Sequence, residues 1–298
     1  MKIIQVSDIH WRGIQRHQEY TAAFELLFKQ LKEEKPDIIV CTGDVFHTKT
    51  QGITPEVIDK LVWMFNGLAE IAPVHTILGN HDGNLANDCR QDVLSPIIEA
   101  INNPRIQLHK KSGVYTDPTR FVLVDGVQVP VSFCVFSCFD KEGWKNVVPN
   151  KNHINIALFH GSVSGCQTDT MWRLKEGEVT DFFFTGYDFA MLGDIHKQQF
   201  LGQRMSNGGL KPWIGYPGSL IQQNYGEETV KGYYLWEIES KTNWDVKFIE
   251  LENLAPFLTV DWKGTVQDTV GFIQKLPSLQ SKKTLAGVRL RITAEEPI

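Results

Sequence analysis

Apolar positions in the first hundred residues alternate between two spacings. Short, mainly apolar runs at 3–6, 38–41 and 74–78 read as buried strands. Between them, apolar residues return every three or four positions, as on one face of a helix. Tyr20, Ala23, Phe24, Leu27 and Leu31 predict a helix over 21–35, stopped by Pro36 and Asp37. Val57, Ile58, Leu61, Met64, Phe65 and Leu68 predict a second over 55–70. Such strand-helix alternation implies a mostly parallel sheet with right-handed crossovers and helices packed on its face.

After Ile106 the pattern changes to short alternating strands with turn residues between them, as in 120–124, Asp125-Gly126 and 127–136. A second, more antiparallel sheet is expected there. Residues 162–180 are polar and helical or loop-like, and strands return through Trp236 and at 244–250. The resulting fold class is α/β, two packed mixed β-sheets flanked by helices, with a small C-terminal α+β segment. The large domain is assigned to 1–250. The segment 251–298 is read as a separate small unit with a helix near 266–275 and a strand at 286–292.

Composition adds few constraints. Of 298 residues, 42% are hydrophobic and 22% charged, enough for a sizeable core. No apolar run is long enough to span a membrane, and Met1-Lys2-Ile3-Ile4 leads straight into a strand, so no membrane association and a cytoplasmic location are expected. Five cysteines, Cys41, Cys89, Cys134, Cys138 and Cys166, include no C-x-x-C pair and read as reduced packing residues. A formal charge of -5 argues against non-specific nucleic-acid binding by the whole surface, although bound cations would reverse the sign of a local cleft.

Candidate chemistry gathers at the strand ends. Five short apolar runs are each followed by a polar cluster: Asp8-Ile9-His10, Gly43-Asp44, Gly79-Asn80-His81-Asp82, His160-Gly161 and Gly193-Asp194-Ile195-His196. Any one of these is also ordinary turn chemistry. Five together supply the ligands of a two-metal phosphoesterase site. One ion would take Asp8, His10, Asp44 and His196, and the other Asp44, Asn80, His160 and Asp194, with Asp44 bridging. This mixture of imidazole and hard oxygen suits manganese or iron, leaves zinc possible and magnesium less favoured, and excludes a thiolate zinc site. His81, oriented by Asp82, is the candidate proton donor to a leaving group. His17, His47, His75, His109 and His153 lack a second ligand in register, His47 being the possible exception because it lies just after Asp44.

Three longer motifs narrow the reading: Gly43-Asp44-Val45-Phe46-His47, Leu192-Gly193-Asp194-Ile195-His196-Lys197, and Tyr216-Pro217-Gly218-Ser219-Leu220 followed by Lys231-Gly232-Tyr233. On these the chain resembles the calcineurin-like metallophosphoesterases, most closely the nuclease subunit of the SbcCD type, over about residues 1–250. The resemblance implies a four-layer sandwich fold and exo- and endonucleolytic hydrolysis of DNA phosphodiesters in DNA repair and recombination. It also implies two divalent ions, with Mn2+ supporting activity best (Mg2+, Fe2+ or Zn2+ as substitutes), an SbcC-type coiled-coil ATPase partner, and a homodimer. Arg12, Arg16 and Lys197 are the basic residues nearest the ligands in sequence and are the candidates to guide the DNA backbone.

The chain departs from that family in two ways. Asp194 stands where the family has the first histidine of Gly-His-x-His, so three carboxylates would face two divalent ions and leave one net positive charge instead of two. Family members also continue through a DNA-capping domain and a helical ATPase-binding tail, so 251–298 reads as the start of a capping domain, and direct ATPase docking would need that tail. The ligands alone would also serve a small-molecule phosphodiesterase or a phosphoprotein phosphatase, and a site altered at Asp194 would suit a non-catalytic DNA-end-binding subunit.

Overall fold

In the computed structural model, residues 1–47, 53–87, 90–261 and 289–293 are described, with 268 and 271 as isolated positions. The first sheet is built on β1 (Lys2–Val6), β2 (Ile38–Cys41), β3 (Val74–Ile77) and β4 (Ile106–His109), all parallel. Helix α1 (His17–Glu34) starts a turn earlier than predicted, because Tyr20 stacks on Trp11 at 4.7 Å and draws the first turn onto the sheet. It ends where Lys35 turns left-handed and donates its N–H to the Leu31 carbonyl. Helix α2 (Pro55–Ile71) has Thr54 at its N-cap and proline in its first turn. A third helix, α3 (Leu94–Ile101), was not anticipated; Pro96 interrupts its pattern, and the Asp92 carboxylate holds its start by accepting from the N–H and hydroxyl of Ser95.

Because β4 pairs with β3, the change of character falls after His109 and not after Ile106. The second sheet has the order β5 (Gly113–Val124), β6 (Val127–Phe136), β7 (Ile154–His160), β8 (Phe189–Gly193), β10 (Gly209–Tyr216) and β9 (Gln199–Ser206). Its antiparallel pairs are confined to the edges, and its centre, β6 to β7 to β8 to β10, is parallel. The turn-rich stretches that suggested an antiparallel sheet are those edges. One is the β5–β6 hairpin, whose two-residue turn has positive φ at both Asp125 and Gly126. Strands β7 and β8, apolar apart from Asn155 and His160, are buried on both faces, as parallel strands are.

The chain then returns to the first sheet, where β11 (Lys231–Ile238) lies antiparallel to β1 and β12 (Trp244–Leu251) closes the edge. The result is an α/β fold of two mixed six-stranded sheets flanked by helices. One core layer, including Phe24, Leu61 and Phe65, lies between the first sheet and α1 to α3. Another, including Ile3, Val40, Phe133, Leu158 and Trp236, lies between the sheets. Short 3₁₀ helices at Lys141–Asn146 and Asp181–Phe184 bring Trp144, Phe183 and Phe184 against Phe136 and Phe159 of the second sheet. A parallel pair, β13 (Phe257–Asp261) and β14 (Arg289–Thr293), comes last; the predicted strand at 286–292 overlaps β14, while the predicted helix at 266–275 lies almost wholly outside the described residues. Cys41, Cys134, Cys138 and Cys166 are buried free thiols, and Cys89 lies outside the described residues. Among the described residues no helix is long and apolar enough to cross a membrane.

One polar side chain ties the sheets together. Gln5 of β1 is fully buried; its amide nitrogen donates to the carbonyls of Leu192 (3.0 Å) and Gly215 (3.1 Å) in the second sheet, and its oxygen accepts from the Trp236 indole (3.0 Å). Thr42 adds a hydroxyl bond to the same Leu192 carbonyl at 3.0 Å.

A second buried polar pair lies farther along the intersheet layer. His75 Nδ1 and His109 Nε2 are 3.0 Å apart, and both rings pack on Phe133. Burial pushes His75 down to about 4 and His109 to about 3. The folded pair refuses protons that the unfolded chain accepts near pH 6.5, so its contribution is intact above that pH and is lost as pH falls toward 4. Between pH 7 and pH 5, urea denaturation of the wild type is predicted to lose about 2 kcal/mol per histidine relative to a His75→Leu/His109→Leu variant. Equal losses in the two proteins would contradict this.

Candidate metal centre

Since β1, β2 and β3 run parallel in one sheet and β7 and β8 in the other, the five polar clusters leave the carboxyl ends of their strands toward a common edge. The loops after β1 and β2 stay paired beyond the strands: Asp8 N donates to Gly43 O (3.1 Å), His10 N to Asp44 O (2.9 Å) and Trp11 N to Val45 O (2.8 Å). This pairing holds the ligands in unusual backbone. Asp8, His10, Asp44 and Asp194 have φ of 51°, 55°, 53° and 92°, a region that costs non-glycine residues about 1–3 kcal/mol and that clusters at functional sites. Close approach of the loops needs glycine. A Cβ on Gly79 would lie 2.2 Å from Asp44 N, and one on Gly193 would lie 2.2 Å from the Thr42 carbonyl oxygen.

The seven expected ligands come together as one contiguous network. Asp44 is aimed by its first oxygen, Oδ1, which accepts the His81 N–H at 2.7 Å. Its Oδ2 then sits between His160 Nε2 (3.4 Å) and His10 Nε2 (3.6 Å). His10 Nε2 and His196 Nε2 converge to 2.9 Å, with Asp8 Oδ1 3.9 Å from the first and 3.8 Å from the second. Two imidazole nitrogens bound about 2.1 Å from one ion at a right angle would be about 3 Å apart. Asp8 belongs to both tight triads, with His10 and His196 and with Asp44 and His160, so it joins Asp44 at the junction of the two sites. Asp194 closes the far side: its N–H is shared by both Asp8 carboxylate oxygens at 3.2 Å, its Oδ1 accepts from Asn80 Nδ2 at 2.8 Å, and His160 Nε2 is 3.8 Å away.

The donor set fits divalent ions on one further observation. His160 donates from Nδ1 to the Thr42 carbonyl at 2.7 Å, which leaves Nε2 buried, without a hydrogen-bond partner, and facing two carboxylates. The charges point the same way. Burial lifts the Asp8 carboxyl to about 6 against the pull of His160 and His196. Burial also opposes ionisation of Asp44, yet His160 and His10 hold its carboxyl well below the usual range. His160 is raised well above an ordinary imidazole, the Asp44 carboxylate overcoming the cost of burial, while burial pushes His10 well below. His196 rises to about 9 because its bond to the Glu227 carboxylate outweighs burial. Carboxylates packed against buried imidazoles in this way favour positive charge between them, which divalent ions would supply.

The expected partnership of His81 with Asp82 is replaced by another. His81 Nδ1 donates to the His47 carbonyl at 2.6 Å. Asp82 is fully buried, accepts from Phe46 N and Gly79 N at 2.8 Å each, and is lifted to about 7 by burial and by Asp44. The carboxylate therefore clamps the loops after β2 and β3 to each other, while the His81 ring turns to the His47 carbonyl. His47 does join the site; its ring lies 5.4 Å from that of His10 and 6.1 Å from that of His81, and burial pushes it down to about 4.

The basic candidates are tied to protein groups. Arg16 pairs with Glu19 at 2.8 Å, donates to the Gln222 carbonyl and lies over the Phe257 ring; Arg12 donates to Gln223. Lys197 pairs with Glu228 beside His196. Three orienting groups went unnoticed in the sequence. Two are the carbonyls of Thr42 and His47, invisible because any residue carries one. The third is Glu227, which lies in a turn between two of the motifs and has no strand end to mark it.

Gly79→Ala is predicted to weaken manganese binding at least tenfold and to cost about 1–3 kcal/mol in urea denaturation, because its Cβ collides with Asp44 backbone. Gly186→Ala, which meets nothing within 4 Å, is the silent control. Unchanged binding in the first variant would contradict this geometry.

Comparison with known proteins identifies the family. Residues 1–200 match the calcineurin-like phosphoesterase family. An uncharacterized protein, R555, of Acanthamoeba polyphaga mimivirus is 39% identical over 265 residues, which is 87% of this chain and 18% of that much longer protein. The crystal structure of TT1561 of Thermus thermophilus aligns over 83% of this chain and 98% of its own at 13% identity, with a TM-score of 0.46. The matched stretch contains every candidate ligand from Asp8 to His196, and the chain belongs to the calcineurin-like phosphoesterase family, whose chemistry is metal-dependent phosphoester hydrolysis.

Proposed function

We propose that this chain is a two-metal DNA nuclease, the nuclease subunit of an SbcCD-type complex that processes DNA ends, with manganese as its preferred ion. The observation that carries the reading is where the nuclease-like motifs lie. Tyr216-Pro217-Gly218-Ser219-Leu220 and Lys231-Gly232-Tyr233 pack directly against His196: Ser219 N donates to the His196 carbonyl at 3.1 Å and Lys231 Nζ donates to it at 3.2 Å. They therefore adjoin the candidate ligand His196 and are not a remote feature of the fold. The centre also has an open side. Asp194 and His196 are about a quarter exposed (26% and 24%), while Asp8 and His160 are buried.

Asp8, His10, Asp44 and His196 would hold one divalent ion, and Asp44, Asn80, His160 and Asp194 the other. Bound there, such ions supply Lewis acidity to a phosphoryl group and lower the pKa of water. His81 keeps its Nδ1 proton on the His47 carbonyl, so Nε2 is the atom from which a proton would be given to the departing sugar oxygen. Asp82 holds that loop in place from beneath. Lys197, beside His196, would exchange its Glu228 partner for a backbone phosphate, whereas Arg12 and Arg16 would have to leave their protein partners to do the same. Asp194 brings a third carboxylate and favours hard ions such as manganese or magnesium. An SbcC-type ATPase partner and a homodimer belong to the same reading and rest on the resemblance.

The test is manganese-dependent cleavage of a labelled linear DNA duplex. The wild type is predicted to cleave it. His81→Ala is predicted to keep both ions and lose about 10²- to 10⁴-fold in rate, and Asp44→Asn to lose both metal and cleavage. Equal metal loss in the two variants would refute this division of roles, and turnover of a small diester with no action on DNA would refute the nuclease.

A further inference from the structure

Glu227 is a buried carboxylate on which five donors converge. Its side chain is 1% exposed. Oε1 accepts from His196 Nδ1 at 2.8 Å and from Asn224 Nδ2 at 3.2 Å. Oε2 accepts from the Ser219 hydroxyl at 2.8 Å, Gln223 N at 2.9 Å and Lys231 Nζ at 2.9 Å. Of these donors only His196 is a candidate metal ligand. The other four fix the carboxylate in place, and the Lys231 ammonium, itself buried, balances its charge.

The same residues hold the backbone of His196. Ser219 N and Lys231 Nζ both donate to its carbonyl. Gly218, at φ 81°, passes so close that a Cβ there would lie 2.5 Å from that carbonyl oxygen, so only glycine fits this turn. The ring and main chain of His196 are therefore both set by the segment 216–231.

An acceptor-only partner at Nδ1 dictates the tautomer. The proton must sit on Nδ1, which leaves the Nε2 lone pair turned toward His10 Nε2 and Asp8 Oδ1. His160 and His81 receive only backbone carbonyls at the equivalent atom. A carboxylate there both orients an imidazole ligand and raises its basicity.

We propose that Glu227, charge-balanced by Lys231, is the positioning residue that fixes the tautomer and ring orientation of His196 for one of the two divalent ions. The Tyr216–Leu220 and Lys231-Gly232 motifs build the cradle that holds it. The inference rests on the two-ion reading of the centre, and its test separates the two. In a calorimetric manganese titration the wild type shows two binding steps; their absence would overturn the two-ion reading and this proposal with it. Combining Glu227→Gln with Lys231→Met removes both buried charges together, and one step then weakens 10- to 100-fold while the other keeps its affinity. Ser219→Ala deletes one donor to the carboxylate and leaves both charges. It weakens the same step several-fold and changes the electron paramagnetic resonance spectrum of the manganese-loaded protein. If the double variant does not fold, Ser219→Ala decides alone. Wild-type affinity at both steps, or equal loss at both steps with a matching fall in melting temperature, overturns the proposal, since a merely structural ion pair predicts one or the other.

Discussion

The two sheets are held in a single register by the Gln5 side-chain amide, and the metal centre depends on that register. Three ligand loops leave the first sheet and two leave the second. A slip of one residue between sheets would move them apart by about 3.3 Å, more than the length of a metal–ligand bond. Gln5 prevents this from the middle of β1, spending both donors on second-sheet carbonyls and its acceptor on Trp236. Leaving any of these buried groups unpaired would cost about 1–3 kcal/mol. Thr42 extends the tie to the edge of the site, giving its hydroxyl to Leu192 and its carbonyl to His160.

Above that tie the site is assembled against local preference. Four ligands sit in left-handed backbone, and carboxylates and imidazoles lie buried side by side. Paired loops after β1 and β2, the Asp82 clamp between the loops after β2 and β3, and the absence of side chains at Gly79 and Gly193 keep them there. Three of the histidines are then turned by separate partners: Thr42 for His160, His47 for His81 and Glu227 for His196. Fold and chemistry meet in these orienting contacts, since each uses an atom held by the surrounding backbone to aim a ring.

Much of this was legible in the sequence, for physical reasons. Buried parallel strands are mainly apolar on both faces, so β1, β2, β3, β7 and β8 stand out, and the polar clusters after them stand out by contrast. Helices α1 and α2 are long enough for their apolar faces to repeat several times, whereas α3 spans eight residues around a proline and leaves little pattern. Sheet polarity was less accessible, because local alternation reports hairpins at the edges and says nothing of which strands become central. The orienting contacts were the least visible. Two use backbone carbonyls, and Asp82, which follows His81 in sequence, points its oxygens at backbone nitrogens instead. Adjacency in sequence suggested a partner where the turn geometry chose another.

Five strand ends from two sheets converge on one candidate centre, in which Asp44 would lie between two ions. Anomalous diffraction at the manganese edge from crystals of the manganese-loaded protein tests it most directly. The account predicts two peaks about 3.5–4 Å apart flanking the Asp44 carboxylate, one beside His10 and His196 and the other beside His160 and Asp194. A single peak, or peaks away from these residues, would contradict it.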